Sequence, residues 1–241
     1  MSPERATVQK MFDDISPKYD FLNHFLSLGI DHRWRKKLVR MLSERNPLQI
    51  LDVATGTGDV TIALTRLNPE KIVGIDISEK MLDIARVKVA SRGLEKIISF
   101  EQSDAERIPF SDDSFDAVTV AFGVRNFENL RKGLSEMKRV LRPGGTMMIL
   151  EFSHPSATPF KQFYQFYSRF IIPFFGKMIS SHSLAYNYLP KTAAAVPAGE
   201  NFLKILRELE LINCSVKVLS FGISSIYSCR KPDKIKTTGK R

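Results

Sequence analysis

The sequence contains no apolar run that approaches the roughly 20 residues of a transmembrane helix. Its most apolar stretch, residues 170–175, is interrupted by Pro173 and is followed by Lys177. The amino terminus also lacks the apolar core of a secretory signal peptide. We therefore expect a cytoplasmic protein without a membrane span.

Cysteine and histidine are both scarce. Cys214 and Cys229 are the only cysteines, and their spacing is unlike Cys-x-x-Cys, so we expect two reduced thiols rather than a structural disulfide. The four histidines, at positions 24, 32, 154 and 182, show no paired spacing. Since zinc sites are built from closely spaced cysteines and histidines, the sequence predicts no metal site.

Acidic residues are outnumbered, and the net charge is +10. Residues 230–241 hold six basic side chains and one acidic side chain, residues 31–45 hold six and two, and the remaining chain is nearly neutral. Charge confined to one helix and one tail suits an anionic membrane surface at least as well as a nucleic acid. We expect no nucleic-acid partner; the simpler alternative for the charge is a solvated helix face and a flexible tail.

What the sequence does contain is an alternation of short apolar runs with segments of helical periodicity. Buried parallel strands are expected at residues 49–54, 71–77, 97–102, 116–121 and 146–152. Helices are expected at residues 59–67, 78–92, 130–141 and 200–210, the second capped by Ser78. Two final strands, at residues 215–221 and 224–229, are predicted to form an edge hairpin. This order predicts a seven-stranded, mostly parallel α/β sheet with helices on both faces.

Two segments lie outside this alternation. Residues 1–46 form a helical segment that contains Trp34, the only tryptophan, and residues 155–197 form an insert crowded with aromatic side chains. The insert follows the carboxyl end of a strand, where open α/β sheets bind ligands. We expect the first segment to be a lid and the insert to cover a substrate, within one domain spanning residues 1–230 and followed by a basic, flexible tail at 231–241.

The strongest local motif is LDVATGTGD at residues 51–59, in which a strand runs through a glycine-rich turn into a helix. Gly56 and Gly58 allow the backbone to approach a ligand. The dinucleotide-binding fingerprint requires a third glycine where this chain has Thr61. A pyrophosphate is therefore not the favoured ligand.

Acidic residues end the next two predicted strands. Asp76 lies 20 residues after Gly56, where a carboxylate can accept hydrogen bonds from two ribose hydroxyls. The Asp104 side chain can accept from an adenine amino group while the backbone amide of Ala105 donates to the ring. Each acid has an alternative, Asp76 as the cap of the following helix and Asp104 as a turn residue. Their common position at successive strand ends favours a nucleoside site.

The ordered motifs LDVATGTGD, VGIDIS, SDAERIPF and RVLRPGG resemble the Rossmann-like core of class I methyltransferases, which bind S-adenosylmethionine. The resemblance implies that Gly56 and Thr57 contact the methionyl part of the cofactor. It also implies that Asp76 holds the ribose and that Asp104 and Ala105 bind the adenine. The Pro-Gly-Gly run at 143–145 is expected to form a turn before the fifth strand.

The stretch KYDFLNHFLSLGIDHRW at residues 18–34, together with FGVRN at 122–126, resembles the ubiquinone and menaquinone biosynthesis C-methyltransferases. That resemblance implies methylation of a polyprenylated hydroquinone, either demethylmenaquinol or the benzoquinol precursor of ubiquinone. Because a polyprenyl tail keeps such a substrate in the bilayer, we expect peripheral binding to the inner face of an anionic membrane. A homodimer is compatible with the sequence, which leaves the oligomeric state open.

Methylation of an aromatic carbon requires that a neighbouring ring hydroxyl lose its proton, and the resulting oxyanion needs a cation and hydrogen-bond donors. Arg125 and Asn126 follow the fourth strand and are predicted to supply the charge and a donor. Tyr19 is predicted to orient the ring hydroxyl. The alternatives are, respectively, a surface ion pair, a turn residue and a core aromatic side chain. For the proton acceptor the sequence offers three candidates without separating them: His182, His154 and Glu151.

Two other functions remain open on the sequence alone. One is a methyltransferase that acts on RNA or a small phenol, although the acceptor motif Asn-Pro-Pro-Tyr is absent. The other is a non-catalytic cofactor-binding protein with the same fold. The presence of Gly56, Asp76, Arg125 and Asn126 argues against the second.

Overall fold

The computed structural model describes residues 4–153, 155, 158, 162, 192 and 196–234. Within these residues seven strands form one sheet in the order β3-β2-β1-β4-β5-β7-β6. The strands are β1 (Gln49–Val53), β2 (Lys71–Asp76), β3 (Ile98–Gln102), β4 (Phe115–Ala121), β5 (Leu141–Phe152), β6 (Ile212–Leu219) and β7 (Ser224–Arg230). The first five are parallel, and β7 is antiparallel to both of its neighbours. The predicted sheet and its closing hairpin are thus confirmed.

Helices cover both faces of the sheet, as predicted. They are α1 (Arg5–Ile15), α2 (Tyr19–Leu26), α3 (Ile30–Ser43), α4 (Asp59–Leu64), α5 (Glu79–Ala90), α6 (Leu130–Val140) and α7 (Glu200–Glu208). On one face α6 and α7 bury apolar residues such as Leu134 and Leu206. On the other face α3, α4 and α5 bury residues such as Leu38, Leu64 and Val89. Strands buried on both faces explain why the sequence shows continuous apolar runs rather than alternation.

The start of α5 and the position of α3 are each fixed by a side-chain hydrogen bond. The Ser78 hydroxyl accepts from the backbone amide of Met81 at 3.2 Å, which confirms the predicted N-cap. The Trp34 indole nitrogen on α3 donates to the Ser220 hydroxyl at 2.8 Å. This second bond ties the amino-terminal segment to the turn between β6 and β7.

The fifth strand differs from the prediction. It begins at Leu141, and the Pro-Gly-Gly run at 143–145 lies inside it rather than in a turn before it. The pairing jumps from Phe115 opposite Leu141 to Ala117 opposite Thr146, so the run forms a bulge. Gly144 adopts a φ of +75° there, a conformation that favours glycine.

The amino-terminal lid lies across the carboxyl ends of the parallel strands. Its α1 and α2 contact the loops after β1, β2 and β3, next to the point between β1 and β4 where the strand order reverses. Open α/β sheets bind ligands at such a point. The described residues do not include His154, His182 or the tail beyond residue 234. Of the aromatic insert predicted at 155–197, they include only residues 155, 158, 162, 192, 196 and 197.

Candidate active site

The glycine turn after β1 draws the ends of β1 and β2 together. Gly56 and Gly58 have backbone φ values of +56° and +81°, which residues other than glycine rarely adopt. A Cβ atom on Gly58 would also lie 3.1 Å from the Ala85 Cβ. The amide of Gly56 donates to the Oδ2 atom of Asp76 at 2.8 Å. The turn therefore positions the acidic residue at the end of the neighbouring strand.

An open pocket, with about 720 Å³ of empty space including the solvent at its mouth, lies at the carboxyl ends of the central strands. Six residues predicted from the sequence line it together: Tyr19, Gly56, Asp76, Asp104, Ala105 and Asn126. Thr57 lies in an adjoining pocket. We call the larger space the nucleoside pocket. The structure thus brings together residues separated by more than 100 positions in the chain.

Asp76 is held by backbone amides, because its Oδ1 accepts from Ser78 at 2.9 Å and its Oδ2 accepts from Gly56 at 2.8 Å. The helix cap is Ser78, so the alternative role for Asp76 is not observed. Burial raises the pKa of the Asp76 carboxyl to about 6, although the two amides favour the charged form. Each carboxylate oxygen retains a lone pair that can accept from a hydroxyl.

Asp104 has the turn role that the sequence left open, and it also pairs with the lid. Its Oδ1 closes a turn by accepting from the Glu106 amide at 2.9 Å. Its Oδ2 lies 2.5 Å from the Arg5 guanidinium on α1. Asp104 and Ala105 both line the nucleoside pocket. The carboxylate therefore joins the third strand end to the lid at the edge of the pocket.

Tyr19 lies at the start of α2 and lines both the nucleoside pocket and the adjoining one. Its ring is 5.9 Å from that of Phe12 in an edge-on arrangement. Burial raises the pKa of the Tyr19 hydroxyl, which Arg125 and a hydrogen bond with the Asn23 side chain lower in part. Because the hydroxyl stays protonated at neutral pH, Tyr19 can donate a hydrogen bond to a ligand.

Arg125 forms a buried ion pair rather than the surface ion pair considered as its alternative. Its Nη1 lies 2.8 Å from the Oε1 atom of Glu151, and their side chains are 6% and 1% exposed. The guanidinium carbon is 5.2 Å from the ring centre of Phe152 and 6.0 Å from that of Phe122. Phe122 is among the described residues that line the nucleoside pocket, whereas Arg125 is not. Glu151, one of the candidate proton acceptors, is thus the partner of Arg125.

Asn126 closes the 3₁₀ turn Val124–Asn126 after β4 and lines the nucleoside pocket. Its Oδ1 atom is buried and has no hydrogen-bond partner in the described part of the chain. Buried polar atoms are nearly always hydrogen-bonded in native proteins. The unpartnered oxygen therefore marks a place where a ligand can donate a hydrogen bond.

The sequence analysis missed a second group of polar residues beside Thr57. The smaller pocket, of about 380 Å³, is lined by Arg35, Asp52 and Asp59 together with residues of the glycine turn. Arg35 is only 8% exposed. The aspartate inside the apolar LDV strand was the signal available in the sequence.

Asp52 is a buried carboxyl surrounded by hydroxyl groups. It accepts from Thr55 and Thr61 at 2.7 Å and from Thr119 at 2.6 Å. Burial raises the pKa of this carboxyl, and the three hydroxyls lower it only in part. The Asp52 carboxyl thus joins β1, the glycine turn and β4 beneath the smaller pocket.

Polar contacts fasten the lid at three strand ends. After β1 the Thr57 hydroxyl donates to Asp20 at 2.5 Å, and after β2 the Ser78 hydroxyl donates to Asp13 at 2.5 Å. The ion pair between Arg5 and Asp104 is the contact after β3. The sequence analysis did not single out these three lid residues, although Asp20 lies within the stretch at residues 18–34.

Two histidines and an acid come together at the base of the lid. One ligand atom each of His24, Asp31 and His32 lies within 4.8 Å of the others, and the two rings stack with centres 4.1 Å apart. Asp31 also accepts from Ser27 at 2.6 Å and pairs with Arg35. Since a guanidinium at the same carboxylate opposes binding of a cation, we interpret the cluster as an ion-pair network.

Comparison with known proteins gives the family of the chain. The model of the ubiE/COQ5 methyltransferase family matches residues 1–231. The demethylmenaquinone methyltransferase of Bacteroides fragilis is 48% identical over 225 residues, which are 93% of this chain and 92% of the relative. The ubiquinone/menaquinone biosynthesis C-methyltransferase UbiE of Geobacter sulfurreducens is 43% identical over 226 residues, 93% of this chain and 88% of the relative.

More distant solved structures share the fold. Phosphoethanolamine N-methyltransferase 2 of Haemonchus contortus, solved with S-adenosyl-L-methionine, matches 82% of this chain and 52% of its own with a TM-score of 0.59 and 15% identity. The cyclase SpnF matches 97% and 98% with a TM-score of 0.61 and 20% identity. A cyclase with this fold shows that the fold alone does not define a reaction. The family match and the identity to the curated relatives show that the chain belongs to the ubiE/COQ5 methyltransferase family and is a methyltransferase.

Proposed function

We propose that this methyltransferase uses S-adenosylmethionine to methylate a ring carbon of demethylmenaquinol, giving menaquinol. The benzoquinol precursor of ubiquinone is the close alternative. The observation that carries the proposal is that one pocket holds both Asp76 and the acceptor candidates Tyr19 and Asn126. Relatives named demethylmenaquinone methyltransferase support the naphthoquinol as substrate. The reported relatives offer no support for RNA or a small phenol.

The residues of the nucleoside pocket fit the proposed cofactor. The Asp76 oxygens each accept one backbone amide and can each accept one ribose hydroxyl as well. Asp104 and Ala105 line the same pocket, where they can contact the adenine. When bound, S-adenosylmethionine supplies an electrophilic methyl group. The work left to the protein is to orient the acceptor carbon and to raise its electron density.

Two side chains of the pocket can handle the acceptor hydroxyl. The protonated Tyr19 hydroxyl can donate to the ring oxygen from the lid side. Asn126, which follows β4, offers an unpartnered Oδ1 to a hydroxyl proton and an amide NH₂ to an oxyanion. Phe122 and Phe127 add apolar surface to the lining, which suits an aromatic ring.

Arg125 acts on this acceptor through its charge. It lowers the pKa of the Tyr19 hydroxyl, although burial has the larger and opposite effect, so its field extends to the lid side of the pocket. A fixed positive charge whose field extends to the acceptor favours an oxyanion on the acceptor ring. The Glu151 carboxylate offsets part of that charge.

An activity measurement tests the proposed reaction. Incubation with methyl-labelled S-adenosylmethionine and a prenylated demethylnaphthoquinol should give a product heavier by one methylene, with the label on a ring carbon. The prenylated benzoquinol, a water-soluble phenol and total RNA serve as competing acceptors in parallel. Transfer to the phenol or to RNA with none to either quinol would overturn the proposal.

We further propose that the protein reaches its substrate at an anionic membrane surface. No helix among the described residues is long and apolar enough to span a bilayer. The lid exposes large apolar side chains, with Phe21 59% and Leu28 74% exposed. The following helix, α3, exposes Lys36 and Arg40. Apolar insertion and attraction to anionic lipid reinforce each other at such a surface.

Vesicle cosedimentation tests this surface. Binding to anionic vesicles is expected to fall with added salt, to be poor with neutral lipid, and to weaken when Lys36, Lys37 and Arg40 are changed to glutamine. A matched control changes three exposed lysines of the sheet domain to glutamine and should bind as the wild type does: Lys71, Lys80 and Lys96. If both variants lost vesicle binding equally, binding would depend on net charge alone. If binding did not change with lipid, salt or substitution, the proposed membrane-binding surface would be excluded.

A further inference from the structure

The smaller pocket adjoins the nucleoside pocket at the glycine turn. The two spaces share part of their lining, including Tyr19, Gly56 and Phe122. A ligand that fills the nucleoside pocket can therefore extend past Gly56 into the smaller pocket, towards Thr57. The charges there decide which part of the ligand it accepts.

The smaller pocket carries both signs of charge. Arg35 supplies a guanidinium, and Asp52 and Asp59 supply carboxyl groups. Asp59 also pairs with Lys88 at 2.8 Å, and Asp52 already accepts three hydroxyl hydrogen bonds. A phosphate would face the two acids, and a simple cation would face Arg35. A zwitterion with one carboxylate and one ammonium has a partner for each of its charges. The amino-acid end of S-adenosylmethionine is such a group.

Arg35 is held in a fixed orientation. It lies on α3 and its Nη1 pairs with Asp31, one turn earlier, and lies 3.5 Å from the Oδ2 atom of Asp59. Asp31 is itself fixed by Ser27 and His24, at 2.6 and 2.7 Å. In the described residues both ion pairs of Arg35 use Nη1. The guanidinium is therefore oriented from one corner while its remaining nitrogens stay available to a ligand in the pocket.

We propose that Arg35 binds the α-carboxylate of the methionyl part of S-adenosylmethionine, so that the lid forms one wall of the cofactor site. The inference rests on the proposed function, because it takes this cofactor to be the ligand. A planar guanidinium matches a carboxylate through two parallel hydrogen bonds. Gly56 and Thr57 line the same pocket, and the resemblance to class I methyltransferases implies that these two residues contact the methionyl part.

Ligands that differ only in the amino-acid end test the proposal by calorimetric titration. Arg35→Gln is expected to bind S-adenosylhomocysteine about 10- to 100-fold more weakly than the wild type, as is typical of losing one charged hydrogen-bonding partner. It should bind methylthioadenosine, which lacks the amino-acid end, as the wild type does. Arg35→Lys should retain part of the affinity. Arg33→Gln, at an exposed position of the same helix, is the control and should change neither.

A comparison within the wild type does not depend on the folding of any variant. Decarboxylated S-adenosylhomocysteine should bind the wild type more weakly than the parent ligand by about the same factor as that caused by Arg35→Gln. If Arg35→Gln lost equal affinity for S-adenosylhomocysteine and for methylthioadenosine, Arg35 would act only through the fold. Unchanged affinity for S-adenosylhomocysteine in that variant would exclude the contact. Failure of the proposed reaction would appear separately, as a wild type that binds S-adenosylhomocysteine but methylates no quinol.

Discussion

Replacing Arg125 by alanine is expected to lower the free energy of unfolding by roughly 3 to 5 kcal/mol, because it removes one member of a buried ion pair. Glu151, which is 1% exposed, would keep its backbone hydrogen bonds but lose its countercharge. Urea denaturation of the two proteins measures the difference. Equal midpoints with equal slopes would show that the pair does not form in solution.

A neutral replacement of the whole pair separates stability from chemistry. Arg125→Met combined with Glu151→Gln leaves no unpaired charge and should recover most of the lost stability. Its turnover should still fall on the order of 100-fold, because the positive charge near the acceptor is gone, while affinity for S-adenosylhomocysteine stays close to that of the wild type. Full recovery of turnover would make Arg125 a structural residue.

Asp76→Ala is expected to weaken binding of S-adenosylhomocysteine roughly 100- to 10,000-fold, since two charge-assisted hydrogen bonds to the ribose contribute roughly 1.5 to 3 kcal/mol each. Calorimetric titration measures the change. Asp76→Asn keeps one oxygen acceptor and should lose less. Circular dichroism serves as the control for folding, because the Gly56 and Ser78 amides also lose their acceptor. Unchanged affinity in a folded Asp76→Ala would remove Asp76 from the site.

The pKa of Asp76, raised to about 6 by burial, gives the same residue a pH signature. Cofactor affinity should fall as the pH drops below about 6, because the protonated carboxyl is the weaker acceptor. Stability of the cofactor-free protein moves the other way. The folded state binds this proton more tightly than the unfolded chain, so the contribution of Asp76 to stability is lost as the pH rises through about 6. Asp76→Asn should lose the affinity trend and the part of the stability trend that Asp76 contributes, while the part from Asp52, whose pKa is also raised by burial, remains.

Much of the fold could be predicted because its determinants are local. Strands buried on both faces are written as unbroken apolar runs, and Ser78 caps its helix with a bond to a residue three positions away. The predicted start of β5 was wrong because that start depends on a contact that is not local. Glycine and proline indicate a turn locally, whereas the pairing of Leu141 with Phe115 depends on a neighbouring strand.

The same distinction explains the site. Gly56, Asp76 and Asp104 follow successive strands, so the sheet register brings them together without knowledge of side-chain packing. Arg35 reaches the site only because α3 packs across the sheet, and no pattern in the helix states where its guanidinium will lie. Arg125 and Glu151 pair across 26 positions, at the ends of two strands. The sequence does not show this pairing, so each residue was predicted separately to take part in the reaction.

The three contacts that fasten the lid have a consequence for the timing of catalysis. Arg5, Phe12 and Tyr19 of α1 and α2 line the nucleoside pocket, so we expect these helices to move when a bound nucleoside exchanges. Each cycle would then include one opening and one closing of the amino-terminal segment, a motion of the microsecond-to-millisecond class. The rate of that motion would set an upper limit on turnover, and substitutions at Asp13 or Asp20 would change this limit without touching the reacting groups.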